Sequence, residues 1–207
     1  MADRKTPKFN RDKTAFENMS DIWKSKAKTY FVRFDANSDG IHERKDYEAI
    51  IERLINHMKT HGIEPTKQQI ERFNHTFIDT VWCESVAGGH DTGYDRKITM
   101  EEFCNNIAEH MIPNIEFCTG VTLQFASHIF DAIDLNRDNV LSLKEYSAFL
   151  GMLDVDEEHA KIAFLSINKG TGDTISREEF CNAYSDFWMN FEEGGIGENV
   201  LGPIVRW

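Results

Sequence analysis

The sequence predicts an all-α protein built from four helix–loop–helix units, and three observations carry that prediction. Loops beginning at residues 35, 91, 134 and 168 repeat one twelve-residue frame. An acid closes every frame (Asp46, Glu102, Glu145, Glu179), and an aliphatic residue holds the eighth position in the last three (Ile98, Leu141, Ile175). Apolar residues flank the loops at the i, i+3, i+4, i+7 spacing of a half-buried helix. A unit of this kind leaves one apolar face bare and has to pair. The expected architecture is therefore two paired modules, loop 1 with loop 2 and loop 3 with loop 4, in one compact globule.

Residues 1–13 are polar and basic and read as a mobile terminus. From Phe16 a helical pattern runs through Trp23, Ala27, Phe31 and Phe34, with Ser20 or Asp21 as a cap within it. It enters loop 1, Asp35 to Asp46. Asp35, Asn37 and Asp39 hold positions 1, 3 and 5, Gly40 makes the turn at position 6, Ile41 offers a carbonyl at 7, and Glu43 stands at 9. Oxygens at alternate residues of a tight loop are what a hard divalent cation requires, and this is the ligand rhythm of an EF-hand. Asp46 at position 12 is one methylene shorter than the usual Glu, so bidentate closure is harder and magnesium gains ground against calcium. His42 replaces the apolar residue at position 8 and is expected to weaken pairing with the neighbouring loop. The exit helix buries Tyr47, Ile50, Ile51 and Leu54.

The second unit is anchored by Ile70, Phe73, Phe77 and Val81. Its loop runs from Asp91 to Glu102, with Asp95 and Thr99 at positions 5 and 9. Gly93 at position 3 has no side chain to offer, and Arg96 stands where Gly or Asn is wanted, so this loop is a marginal site. Residues 1–13, 14–112, 113–120, 121–190 and 191–207 divide into terminus, first EF-hand pair, linker (Pro113 and Gly120), second pair, and a tail packed on the core.

Loop 3, Asp134 to Glu145, is the most complete. Asp134, Asn136, Asp138 and Ser142 supply oxygens, Val140 a carbonyl, and Glu145 is long enough to close the shell with both carboxylate oxygens. Asn139 replaces Gly at position 6, where Asn tolerates left-handed backbone. Loop 4 keeps Ile175 and Glu179 but has Asn168, Gly170 and Gly172 at positions 1, 3 and 5. It lacks the carboxylates and reads as a structural partner for loop 3. The expected metal ligands are thus Asp35, Asn37, Asp39, Ile41 and Asp46, and Asp134, Asn136, Asp138, Val140 and Glu145.

Bulk composition agrees. Among 207 residues, 35 acids against 23 bases give a net charge of −12, which suits a cation binder and disfavours nucleic acid. Cys83, Cys104, Cys118 and Cys181 form no CxxC pair and read as reduced thiols of a cytoplasmic protein. No stretch approaches transmembrane length, and no apolar leader opens the chain. The eight His are scattered without a nucleophile or metal motif, so no enzymatic role is expected. The seven Met are scattered too, unlike the Met-rich groove of a sensor, which favours a closed, monomeric buffer over a target-binding protein.

With these frames in place, the chain resembles the sarcoplasmic calcium-binding proteins and the similar calexcitins of invertebrates, from Phe16 to Gly202. The resemblance is carried by Asp46, by the non-Gly Arg96, by the degenerate fourth loop and by the tail Gly197-Glu-Asn-Val-Leu-Gly202. It implies a compact, all-helical, cytosolic protein binding calcium and, in some sites, magnesium. Coelenterazine-binding proteins and calcium-regulated photoproteins share this architecture, so a calcium-triggered carrier with a cavity lined by Trp23, Trp82 and Trp188 is the alternative. Asp186-Phe-Trp188 resembles a photoprotein stretch, but Tyr184 stands where those proteins carry His, and the chain ends Val205-Arg-Trp207 rather than in Pro.

Overall fold

The computed structural model describes residues 10, 12–60, 62–86, 95–111, 114–168 and 172–207. Most of the expected mobile terminus lies outside them. The first helix, α1 (Asp21–Phe34), starts later than the apolar pattern suggests, because the Ser20 hydroxyl accepts from the Trp23 amide and caps it. Phe16–Asn18 forms its own 3-10 turn, held by reciprocal bonds between Thr14 and Glu17. Helix α2 (Arg44–Thr60) buries Tyr47, Ile50, Ile51, Leu54 and Met58 along one stripe. A Thr66–Gln69 capping box opens α3 (Lys67–Asn74), which runs on as a π-wound stretch, His75–Val86. The i→i+5 winding aligns residues about four to five apart, and Phe77, Trp82 and Val86 are all buried there.

The second half follows the same plan. Helix α4 (Met100–Met111) completes the first module. Helix α5 (Ile115–Ile133) begins inside the expected 113–120 linker, so that connection is shorter than the sequence suggests, and Gly120 is absorbed as a helical residue. Helices α6 (Leu143–Met152), α7 (Glu157–Ile167) and α8 (Arg177–Met189) complete the second module.

Two short antiparallel ladders join the loops in pairs. In the first module β1 (Ile41–His42) meets β2 (Ile98–Thr99), with Ile41 opposite Thr99 and His42 opposite Ile98. In the second, β3 (Val140–Ser142) meets β4 (Thr174–Ser176), with Leu141 opposite Ile175. The His42 ladder is one residue pair shorter, but its ring is not a defect. It is fully buried, stacks on Phe31 with centroids 3.9 Å apart, and its Nε2 lies 2.8 Å from the Phe31 carbonyl oxygen.

The aromatic residues pack on one another and fill the interior. Trp23 and Trp188 lie 6.1 Å apart, and Tyr47 and Trp82 5.2 Å apart. The end of α8 and the segment after it strap the two modules together. Trp23 Nε1 donates to the Trp188 carbonyl, the fully buried Lys26 ammonium donates to the Asn190 carbonyl, and Tyr146 Oη donates to the Val200 carbonyl. The tail's last residues donate from Val205 N to Thr29 Oγ1 and from Trp207 N to Ser25 Oγ. No described helix is long and apolar enough to cross a membrane.

The strap needs Gly197, because a Cβ there would stand 1.8 Å from the Ala183 carbonyl oxygen and 2.7 Å from the Phe187 nitrogen, both backbone. Gly197→Ala should cost about 2–3 kcal/mol in urea unfolding. Gly120→Ala, in open space on α5, should instead stabilise by roughly 0.5–1 kcal/mol.

Burial pushes the His42 imidazole down from 6.5 to about 4, against the opposing pull of the Phe31 carbonyl and of Asp35 and Asp39. The folded protein holds this ring neutral while the unfolded chain protonates it. The resulting stability is full above about pH 6.5 and is lost as pH falls toward 4, by something on the order of 3 kcal/mol. Urea unfolding of metal-free protein at pH 7 and pH 4.5 should reveal this loss in the wild type and much less of it in His42→Phe. Equal losses in the two proteins would assign it to other groups.

Candidate metal centre

Each candidate loop starts at the last turn of a helix, where the Asp35 and Asp134 amides still donate to the carbonyls of Phe31 and Phe130. The chain then curls through left-handed residues at loop positions 4 and 6: Ser38 (φ 57°) and Gly40 (φ 79°) in loop 1, Arg137 (φ 61°) and Asn139 (φ 65°) in loop 3. Asn139 therefore takes the conformation expected of it.

In loop 1 the Asp35 carboxylate accepts from the amides of Asp39 (3.2 Å) and Gly40 (2.8 Å). Asn37 Oδ1 accepts from Asp39, and Asp39 Oδ1 from Ile41. Asp46 Oδ2 accepts from the Glu43 amide at 2.9 Å, while Asp46 Oδ1 is buried with no hydrogen-bond partner. Burial raises the Asp46 pKa first, and the charges of Asp35 and Asp39 raise it further against the Glu43 and Asn37 amides. The charges of Asp35 and Asp39 thus reach Asp46 across the loop.

Loop 3 repeats this arrangement with a longer closing arm. Asp134 Oδ2 accepts from the Asn139 amide at 3.0 Å, and Asp134 Oδ1 is buried with no partner. Asn136 Oδ1 accepts from Asp138, and Asp138 Oδ1 from Val140. Glu145 reaches across the loop. Its Oε1 accepts from the Leu135 amide at 3.0 Å, and its Oε2 from the Ser142 amide and hydroxyl. Ser142, read as a ligand at position 9, also caps α6.

The residues fit a divalent cation. Hard oxygens are gathered on alternate residues, and in each loop one buried carboxylate oxygen lacks a donor, which is costly unless a cation serves it. The remaining oxygens serve the loop's own amides, and among the described residues no three His, Cys, Asp or Glu side chains already meet as a finished cluster. The expected carbonyl donors Ile41 and Val140 open the β-strands beside these carboxylates.

The partner loops differ. Asp91 and Gly93 of loop 2 lie outside the described residues. Its far end is closed by Glu102 Oε2, which accepts from the Thr99 amide and hydroxyl, both at 2.9 Å. In loop 4, where Gly170 is also outside the described residues, the Asn168 amide donates to the Gly172 carbonyl at 2.6 Å. A hydrogen bond closes that loop where loop 3 presents a carboxylate.

Two lysines near loop 1 escaped the sequence reading. Lys45 ion-pairs with Glu43, and Lys97 Nζ lies 3.4 Å from the other Glu43 oxygen. Lys45 follows Glu43 by two residues and was legible. Lys97 comes from loop 2, and only the β1–β2 register brings it there.

Comparison with known proteins agrees with this geometry. The family model for the EF hand matches residues 126–150, which span loop 3. A sarcoplasmic calcium-binding protein of Hediste diversicolor is 34% identical over 187 residues, covering 90% of this chain and 100% of the relative. A second, from Perinereis vancaurica tetradentata, is 30% identical over 90% of this chain and 100% of its own length. A luciferin-binding protein of Renilla reniformis is 26% identical, covering 87% of this chain and 93% of the relative. Among solved structures, the coelenterazine-binding protein from Renilla muelleri, in its calcium-loaded apo form, superposes with a TM-score of 0.72 at 25% identity, covering 88% of this chain and 96% of that one. With two relatives of this kind aligned along their whole length, the chain belongs to the sarcoplasmic calcium-binding protein family.

Proposed function

We propose that the protein is a cytosolic calcium buffer whose working sites are loops 1 and 3. The reading is carried by the two donorless oxygens, Asp46 Oδ1 and Asp134 Oδ1, buried one in each loop. A bound divalent ion supplies the positive charge that these oxygens and their neighbours lack. The chain's own part is to present the carboxylates of Asp35, Asp39 and Asp46, or of Asp134, Asp138 and Glu145, with Asn37, Asn136 and the carbonyls of Ile41 and Val140 completing each set. Asp46 has the shorter arm, so loop 1 is the site where magnesium competes better. Loop 2 is a marginal site, and loop 4 supports loop 3.

Buffering is favoured over sensing by where the methionines lie. Met19, Met58, Met152 and Met189 are all buried in the core, so they form no surface groove. The tail holds α1 against α8, and no catalytic step is assigned to any residue. A carrier of a small apolar ligand is the second reading, favoured by the likeness to a luciferin-binding protein and opposed by the aromatic rings that pack on one another in the interior.

Calorimetric titration of metal-free protein with calcium should give two strong events, the weaker blunted by millimolar magnesium. Glu145→Gln should remove the loop 3 event, weakening it at least tenfold, and Asp46→Asn the loop 1 event. At a hundred times the dissociation constant, calcium at one site should raise stability by about 2.7 kcal/mol. A single event, or none, would overturn the two-site reading. A large calcium-induced rise in hydrophobic-dye binding would favour a sensor, and saturable coelenterazine binding a carrier.

A further inference from the structure

The outer side of loop 3 borders a cavity of about 430 Å3 between the two modules, lined by charged and polar residues. Arg72 and His75 reach it from the first module, Arg137 from loop 3, and His128 and Arg177 from α5 and α8. Three guanidinium groups from distant parts of a chain of net charge −12 therefore face one space.

They are not equally engaged. Arg177 is the most engaged: Nε donates to Asn139 Oδ1, Nη1 to Ser127 Oγ and Nη2 to Asp131 Oδ1, and the group stacks on Phe130 at 4.4 Å. It thereby neutralises Asp131, one of two acids on the cavity wall, and fixes that wall in place. Arg72 is underused. Its Nη1 donates to the Asp131 backbone carbonyl at 2.9 Å, and its Nε is buried with no partner. Among the described residues Arg137 makes no hydrogen bond or ion pair, and its left-handed backbone (φ 61°) follows from its place at position 4 of the loop. Burial and then the charge of Arg137 lower the Arg72 pKa, while Asp131 and Asp134 raise it, so the two guanidiniums lie within reach of each other's charge.

We propose that this inter-module cleft binds a phosphate group carried on a small soluble molecule, held between Arg72 and Arg137 against the fixed guanidinium of Arg177. Arginine forks match tetrahedral oxyanions, and one dianion between two guanidiniums removes their repulsion. The cavity is larger than a phosphate alone, which leaves room for the body of the molecule. The remaining acid on the wall is Asp134, position 1 of loop 3. In metal-free protein its charge opposes an anion, and a divalent ion in loop 3 removes that opposition. Phosphate and calcium should therefore strengthen each other's binding by one common factor. This coupling rests on the calcium reading of loop 3, but the site itself does not.

The test is titration of the metal-free full chain with inorganic phosphate at constant ionic strength, followed by phosphorus NMR and calorimetry. Saturable one-to-one binding is expected, weakened about tenfold or more by Arg72→Gln and by Arg137→Asn and unchanged by Arg206→Gln on the tail. With calcium bound, phosphate should bind several-fold tighter, and millimolar phosphate should tighten the loop 3 calcium event equally. Circular dichroism and the loop 1 calcium event report whether each variant is folded. No saturable phosphate binding, or binding indifferent to both arginine variants, overturns the site, and the calcium reading stands if calcium still fills loop 3. Phosphate binding that calcium leaves unchanged overturns the coupling. A nucleoside monophosphate competing with phosphate supports the soluble source. Arg72-dependent sedimentation with phosphatidate-containing vesicles, without that competition, overturns it in favour of a lipid headgroup.

Discussion

Two buried carboxylate oxygens without donors, on Asp46 and Asp134, set the terms for the rest of the molecule. A twelve-residue loop has few amides that can turn inward, fewer than its side-chain oxygens need. Asp35, Asn37 and Asp39 use the amides of residues 39 to 41, and Asp134, Asn136 and Asp138 use those of residues 138 to 140. The closing acid must then reach back to a cap, Asp46 to Glu43 and Glu145 to Ser142. Oxygen is left over in both loops. In a folded interior that surplus is unfavourable, and a small hard cation resolves it better than any rearrangement of the loop's own groups. The carboxylates are held in this costly arrangement by the helices at either end, whose apolar faces are committed to the core.

Pairing sets each of loops 1 and 3 beside a neighbour with fewer acidic ligand positions. Loop 4 preserves the parts that hold β4 in register, Ile175 opposite Leu141 and the Ser176–Glu179 capping box. It dispenses with the carboxylates at positions 1, 3 and 5, and the Asn168 side-chain amide donates to the Gly172 carbonyl instead. Loop 3 is therefore held in register by contacts that use no ion. Loop 1 has a more active neighbour, because Lys97 of loop 2 and its own Lys45 both contact Glu43. Two ammonium groups already engage the position 9 acid that a cation would call on, directly or through water. Together with the short Asp46 arm, this separates two loops that share the same first five positions in outline.

The repeat, the loop frames and the pairing were legible because each depends on residues close in sequence. Leu141 and Ile175 mark the ladder by being apolar at one loop position, and Asn139 declares its left-handed turn by its identity. The features that were not legible depend on contacts across the fold. His42 reads as a polar intruder, but Phe31 offers it a ring face and a carbonyl. The start of α1 was ambiguous because Phe16 fits the helical stripe, and only the Ser20 cap separates the two segments. Gly120 looked like a linker residue, but nineteen helical residues carry it at a cost of about 1 kcal/mol. The π-wound stretch gives no local signal that distinguishes it from an ordinary helix. The arginine cleft was invisible because Arg72, Arg137 and Arg177 are spread over half the chain.

Whether calcium energy goes into stability or into motion depends on what an opening helix pair would expose. Parting α1 from α8 would break the bond from Trp23 to the Trp188 carbonyl and strip the Lys26 ammonium of its Asn190 acceptor. It would also lift the tail, whose Val205 and Trp207 amides are held by Thr29 and Ser25 on α1. Binding at a single loop contributes about 3–4 kcal/mol at a hundred to a thousand times the dissociation constant, and each of these bonds joins the first module to the end of the chain, not to a loop. Loop 1 adjoins the strap through the C-terminal end of α1, where the Asp35 amide still donates to the Phe31 carbonyl. Parting these helices therefore carries a cost beyond the loops themselves, and that cost is what the proposed buffer reading rests on.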